Sequence, residues 1–189
     1  MANLAVFASG SGSNFQAIAD ALKGSSHRLA LLVYDRKTAY VRQRAQAAGI
    51  PVENIEYSRE KPREETEKEL LTRLKPYSID LIALAGFMRL LTPVLVDAYK
   101  DRIINVHPSL LPKYPGTHGI EESYHSGDRE LGITIHRVDY GLDTGPIIRR
   151  GRILRCEGES LEDFEARIHA LEHRLYPEVI LNILEGNIG

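Results

Sequence analysis

Residues 81–91 read Leu-Ile-Ala-Leu-Ala-Gly-Phe-Met-Arg-Leu-Leu. The apolar run from Leu81 to Ala85 is too short for an ordinary helix and lacks the polar alternation of a half-exposed strand, so it predicts a strand buried on both faces. Such a strand belongs in a parallel sheet, whose crossover helices cover both sides. The flanks agree. Upstream, Arg63 to Leu74 carries Glu65, Lys68, Glu69 and Arg73 on a helical pattern; downstream, Pro93 suits the first position of a helix through Tyr99, and Ile103 opens another strand.

Helix and strand alternate toward the amino terminus too. Leu4 to Ala8 is a short apolar strand, Ser9 to Asn14 a glycine loop, and Phe15, Ile18, Ala19 and Leu22 recur at helical spacing. His27 to Tyr34 is a second strand, Ala39 to Ala48 a helix stopped by Gly49, and Ile50 to Ile55 a third strand. This order predicts an α/β fold with a doubly wound, mainly parallel sheet and helices on both faces. Beyond a proline-rich stretch, Gly119 to His125 is a short helix, and Gly132 to Val138 alternates as a half-exposed strand. Pro146 to Leu154 is a further strand, and the late strands are expected to extend the same sheet. Ser160 and Asp163 signal the start of a last helix, which Pro177 should kink or break near Tyr176. No repeat or linker is evident, so 1–189 is expected to be one domain.

With 189 residues, 43% hydrophobic content and a net charge of −2, the chain can bury one well-packed core. It carries no basic run of the kind that binds nucleic acid or an anionic membrane, and no apolar stretch of spanning length. Small-molecule chemistry in the cytoplasm is the expectation. The single cysteine, Cys156, cannot form an internal disulfide and is expected to be structural.

Residues 103–118, Ile-Ile-Asn-Val-His-Pro-Ser-Leu-Leu-Pro-Lys-Tyr-Pro-Gly-Thr-His, leave the strand pattern as three prolines intervene. Asn105 and His107 are two apart and share a face at the strand end, an amide donor beside a group that exchanges a proton near neutral pH. Asp143, in Leu142-Asp143-Thr144-Gly145-Pro146, could close on the pair, though a single Asp before glycine and proline also suits a plain turn. His118 is a weaker candidate for the same cavity, and His125 and His136 are expected on solvated faces. The loop Gly10 to Asn14 suits either a phosphate cradle at a helix start or an ordinary tight turn. It is not a dinucleotide fingerprint, since Phe15 stands where the third glycine belongs, but Asp35 at the end of the second strand keeps a nucleotide-binding module or oxidoreductase open. His169-Ala170-Leu171-Glu172-His173 matches H-x-x-E-H, yet too little chain follows to supply a remote third ligand, and no metal is expected.

Taken together, Ser9-Gly10-Ser11-Gly12-Ser13-Asn14-Phe15-Gln16, Leu84 to Leu91, Asn105-Val106-His107-Pro108-Ser109-Leu110-Leu111-Pro112 and Leu142 to Pro146 closely resemble the folate-dependent formyltransferases of purine synthesis, the phosphoribosylglycinamide formyltransferase family. The resemblance spans nearly the whole chain and implies a formyltransferase-like, Rossmann-related fold. It implies transfer of the formyl group of 10-formyltetrahydrofolate to the primary amine of glycinamide ribonucleotide, a step of de novo purine biosynthesis, by a monomer or homodimer.

Residue by residue, the resemblance assigns Asn105, His107 and Asp143 to catalysis. Gly12, Ser13 and Asn14 would hold the ribonucleotide phosphate, with His169 and Glu172 toward the ribose. Arg63, Met88, Arg89, Leu90 and Leu91, with Asp139, Tyr140, Gly141 and Leu142, would bind the folate. Three positions depart from the usual pattern: Tyr34-Asp35-Arg36, where serine-asparagine is commoner, Arg149-Arg150, and His169, where glutamine is familiar. Formyltetrahydrofolate hydrolases share the catalytic segment and are the nearest alternative, but they normally carry a regulatory domain ahead of the catalytic part, whereas the first strand here is expected to begin at Leu4.

Overall fold

The computed structural model describes residues 1–188. Strand β1 (Asn3–Ala8), helix α1 (Ser13–Leu22), β2 (Arg28–Tyr34), α2 (Val41–Ala47), β3 (Val52–Asn54), α3 (Arg63–Leu74), β4 (Leu81–Leu84), α4 (Pro93–Ala98) and β5 (Ile103–His107) alternate as expected. Helix α5 (Gly119–His125), β6 (Glu130–Arg137), β7 (Ile147–Leu154) and α6 (Leu161–Leu184) follow. All seven strands form one sheet in the order β3-β2-β1-β4-β5-β6-β7. Pairings from β3 across to β5 are parallel, and β6 and β7 add antiparallel.

The period-two alternation of β1 separates two cores. Leu4, Val6 and Ala8 pack with Phe15 and Ile18 of α1 and with Phe164, Ile168 and Tyr176 of α6. Ala5 and Phe7 face the other way, against Leu70 and Leu74 of α3 and Leu95 of α4. The winding reverses between β1 and β4, since β2 and β3 lie to one side and β5 to the other. The carboxyl ends of β1 and β4 therefore flank the crevice in which open α/β sheets bind ligands.

Two expectations are corrected. Helix α6 runs through Pro177 for 24 residues and does not break at Tyr176. A proline inside a helix costs about 3 kcal/mol. Here Leu175, Tyr176, Val179 and Ile180 on both sides of it are buried, and the Tyr176 hydroxyl donates to the carbonyls of Leu84 and Ile104 at 2.9 and 3.1 Å. That packing keeps the helix continuous through the proline. Strand β6 is buried from Leu131 to His136 and is not half-exposed. Its polar side chains face the proline-rich segment, where Thr134 Oγ1 donates to the Ser109 carbonyl at 2.7 Å and accepts the Leu111 N–H at 2.9 Å. Alternation alone cannot tell a solvated face from one covered by a loop distant in sequence.

Candidate active site

A cavity of about 530 Å³ opens at the reversal point. Its walls are the loop after β1, the turn after β4, the end of β5, the segment 116–121, the loop 141–143 and one face of α6. The first two walls are sewn together. Ser9 N–H donates to the Gly86 carbonyl at 3.1 Å, and Met88 N–H donates to Ser9 Oγ at 2.9 Å.

Asn105 and His107 sit on β5, directly across from His136 and Thr134 of β6. His136 Nδ1 lies 2.8 Å from the Arg137 carbonyl, so that nitrogen is the donor and Nε2 the acceptor in the neutral ring. Asn105 Nδ2 lies 3.3 Å from His136 Nε2 and donates to it. In that tautomer the second Nδ2 hydrogen is left free of the bond. His107 is buried, and its Nε2 donates to the Tyr114 carbonyl at 2.7 Å. Its Nδ1 lies 3.4 Å from Asp143 Oδ2, while Asp143 Oδ1 lies 3.6 Å from His136 Nε2.

Asp143 is thus held between two imidazoles, and its Oδ2 also accepts the Gly116 N–H at 2.8 Å. Burial pushes its carboxyl up, but the His136 ring in its Nε2-protonated form, the Gly116 N–H and the charge on His107 together outweigh this and hold it below the usual carboxylate range. Its backbone adopts φ 55°, a left-handed conformation that Asp tolerates better than most residues but that is uncommon outside glycine. The loop imposes it. Asp139 Oδ1 accepts from Gly141 N at 3.0 Å and Thr144 Oγ1 at 2.7 Å, and a side chain at Gly145 would lie 1.9 Å from the Arg137 carbonyl.

Along one wall of the cavity, α1 begins at Ser13 behind Gly12, where φ is 77° and an added Cβ would lie 2.5 Å from the Val41 side chain, so both call for glycine. No side chain caps this helix, so its first N–H groups are left for a ligand, a ready site for an oxyanion. The Asn14 side chain is turned elsewhere: Nδ2 donates to Glu172 Oε2 at 2.9 Å, and Oδ1 is buried without a partner. His169 Nδ1 lies 2.9 Å from the same carboxylate oxygen, and its Nε2 3.4 Å from Glu165. The bond to Glu172 raises the His169 pKa against the opposing effect of burial. Burial lowers that of the neighbouring His173. Among the described residues, no group of three His, Cys, Asp or Glu is placed to hold a metal ion.

On another wall Met88 and Leu90 are half-exposed and Leu91 is buried. Gly141 and Leu142 complete the wall, whereas Asp139 and Tyr140 support the loop from outside, Tyr140 through a hydroxyl bond to Asp97. Arg63 lies off the cavity wall, its guanidinium 5.4 Å from the centre of the Tyr57 ring. Arg89 is on the wall and also stacks on Tyr57, at 5.5 Å. Asp35 is turned inward onto Arg89 at 2.7 Å, so its carboxylate is not presented to a ribose. His118 is exposed at the rim, 3.7 Å from Glu121, and His125 is solvated as expected. His136, expected on a solvated face, is the principal residue the sequence reading missed. The signal was its place opposite Asn105, but a connection of more than twenty residues between β5 and β6 hides that register.

The sequence profile of the formyl transferase family matches residues 2–180. The chain belongs to the formyl transferase family. Among its relatives, phosphoribosylglycinamide formyltransferase of Bacillus subtilis is 45% identical over 99% of this chain and 97% of its own length. The crystal structure of phosphoribosylglycinamide formyltransferase from Streptococcus pneumoniae superposes with a TM-score of 0.91 at 41% identity, covering 97% of this chain and 99% of that one. Glycinamide ribonucleotide transformylase 1 from Symbiobacterium toebii gives 0.93 at 39% identity over 98% of this chain and 89% of that one. The formyl transferase fold in this chain thus carries an amide, two imidazoles and a carboxylate in one cavity with an uncapped helix start and an apolar wall.

Proposed function

We propose that the protein is a cytoplasmic phosphoribosylglycinamide formyltransferase, one domain over residues 1–189, that moves the formyl group of 10-formyltetrahydrofolate to the primary amine of glycinamide ribonucleotide. The observation that carries this is the cluster Asn105, His107, His136 and Asp143 in one cavity that is also lined by the uncapped start of α1 and by Met88, Leu90 and Leu91. The phosphate of the ribonucleotide docks on the first N–H groups of α1 at Gly12, Ser13 and Asn14. Glu172, oriented by Asn14 and His169, accepts from the ribose hydroxyls. The pteridine lies against Met88, Leu90 and Leu91 under the loop Gly141 to Asp143, and the acidic tail leaves past Arg89 toward Arg63.

The neutral amine attacks the formyl carbon. A carbon–nitrogen bond forms, and negative charge moves onto the formyl oxygen. Asn105 Nδ2, with one hydrogen spent on His136, offers the other to that oxyanion. His107 keeps Nε2 on the Tyr114 carbonyl, so Nδ1 is the exchangeable position, and as a cation it faces both the oxyanion and Asp143. Asp143 takes the proton from the former amine. The bond to the folate nitrogen breaks as His107 supplies its proton, and exchange between Asp143 and Nδ1 restores the starting state. No enzyme nucleophile takes part, because the amine is itself competent.

The test is steady-state transfer monitored by folate absorbance, with and without glycinamide ribonucleotide. The proposal expects turnover that requires the amine. Equal turnover without it, with formate as product, would instead make the protein a hydrolase.

A further inference from the structure

The rim beyond the apolar wall holds a connected set of charges that transfer chemistry leaves unused. Glu67 of α3 is completely buried, and its carboxylate accepts the Tyr57 hydroxyl at 3.1 Å and the Thr92 N–H and hydroxyl at 3.1 and 2.5 Å. Tyr57 is therefore a fixed plate. Two guanidiniums stack on it, Arg63 at 5.4 Å and Arg89 at 5.5 Å, as cations do on an aromatic face. They differ in one respect. Among the described residues Arg63 makes no ion pair, whereas Arg89 Nε is held at 2.7 Å by Asp35 Oδ2. The Asp35 side chain is 0% exposed, and its Oδ1 is buried with no donor, so this carboxylate is committed to Arg89 and cannot swing out to solvent.

We infer that Asp35 determines selectivity for the length of the acidic tail on the folate substrate: by neutralising Arg89 it leaves Arg63 as the one uncompensated guanidinium on Tyr57, so a single glutamate is accepted and further γ-linked glutamates add little. The inference rests on the folate pocket proposed above. Glu67 is fully buried and spent on its three donors, so the charges that count at the rim are +1 each for Arg63 and Arg89 and −1 for Asp35, a net of +1 that the first glutamate offsets. Each added glutamate brings one negative charge to a rim with no net field to attract it. Removing the Asp35 charge leaves the rim at +1 after the first glutamate has bound. At a separation of about 7 Å in largely aqueous surroundings, that is worth roughly 2–3-fold in affinity per added charge at low salt, and screening at about 0.5 M removes most of it.

The test measures dissociation constants of tetrahydrofolate carrying one, three and five glutamates, at low and high salt, on the wild type, Asp35→Asn and the double variant Asp35→Asn/Arg89→Gln. The wild type is expected to bind all three within about 3-fold. Asp35→Asn should favour triglutamate over monoglutamate by about 4–9-fold at low salt and lose that preference at high salt. The double variant, whose rim carries the same net charge as the wild type, should return to the wild-type ratio. A wild type that already gains 10-fold or more with tail length overturns the inference even if no variant folds, as does a single variant with an unchanged ratio. Failure of the wild type to bind any of the folates overturns the pocket itself, and the tail selectivity with it; binding with the wrong ratios overturns the selectivity alone.

Discussion

Replacing Asp143 by Asn preserves the shape of the side chain and its acceptance of the Gly116 N–H, and removes only the charge between the two imidazoles. The carboxylate lies 3.4 Å from His107 Nδ1 with its side chain 9% exposed. Unit charges at that distance interact with about 5 kcal/mol at the effective dielectric constant of about 20 that suits such sites. Relaxation and residual solvent return part of this, and only the part present in the transition state and absent from the ground state affects rate. About half, 2–3 kcal/mol, is expected to appear as a 30- to 200-fold fall in kcat. The assay is transfer at saturating concentrations of both substrates, from about pH 5 to 9. The basic and acidic limbs should both move, since the proton acceptor for the amine and the partner of His107 are lost together. Stability gives a second readout. The Asp143 carboxyl is held below its ordinary value in the folded state, so its contribution is complete above that ordinary value and disappears as pH falls through the folded one. The wild type should therefore lose more stability than the variant between neutral and acid pH, as read from denaturant midpoints. A kcat within 3-fold of wild type and an unchanged pH profile would remove Asp143 from the reaction.

His136→Ala takes away the acceptor that orients the Asn105 amide, and loss of one such bond should lower kcat about 5–15-fold, with partial recovery in His136→Gln; equal rates in both variants would make His136 a packing residue. Changing Ser13 and Asn14 to Ala should raise KM for the ribonucleotide more than KM for folate, because Asn14 also holds Glu172, and equal changes in the two constants would contradict a phosphate site. His169 has a raised pKa through Glu172, so the interaction is complete below the ordinary histidine value and is lost as pH rises through the higher, folded one. The KM for the ribonucleotide should accordingly climb over that window in the wild type and stay flat in His169→Gln; matching profiles would take His169 out of the ribose contact.

Much of the scaffold was legible because local pattern and final burial agree. Leu81 to Leu84 is buried on both faces as an unbroken apolar run should be, and α3 occupies Arg63–Leu74 as its charge spacing predicts. Pro177 misled because backbone propensity is a local term of a few kcal/mol, and the anchoring of Tyr176 under β4 and β5 is a tertiary one. The site divides the same way. Asn105 and His107 were visible from two-residue spacing, which is geometry within one strand. His136 was not, because its place beside them depends on the register between β5 and β6, set by a long connection whose path no local pattern encodes. Arg63 off the cavity wall and Asp35 buried on Arg89 are likewise outcomes of three segments meeting at Tyr57, each unremarkable alone.

The central claim is direct transfer between two bound substrates without a formyl-enzyme. A single turnover with 10-formyltetrahydrofolate labelled in the formyl carbon, quenched at intervals in the presence of glycinamide ribonucleotide, tests it most directly. The label should pass from folate to the ribonucleotide amide one for one, with none on the protein and none as formate. Label retained on the protein, or released as formate while the amine is present, would contradict the account.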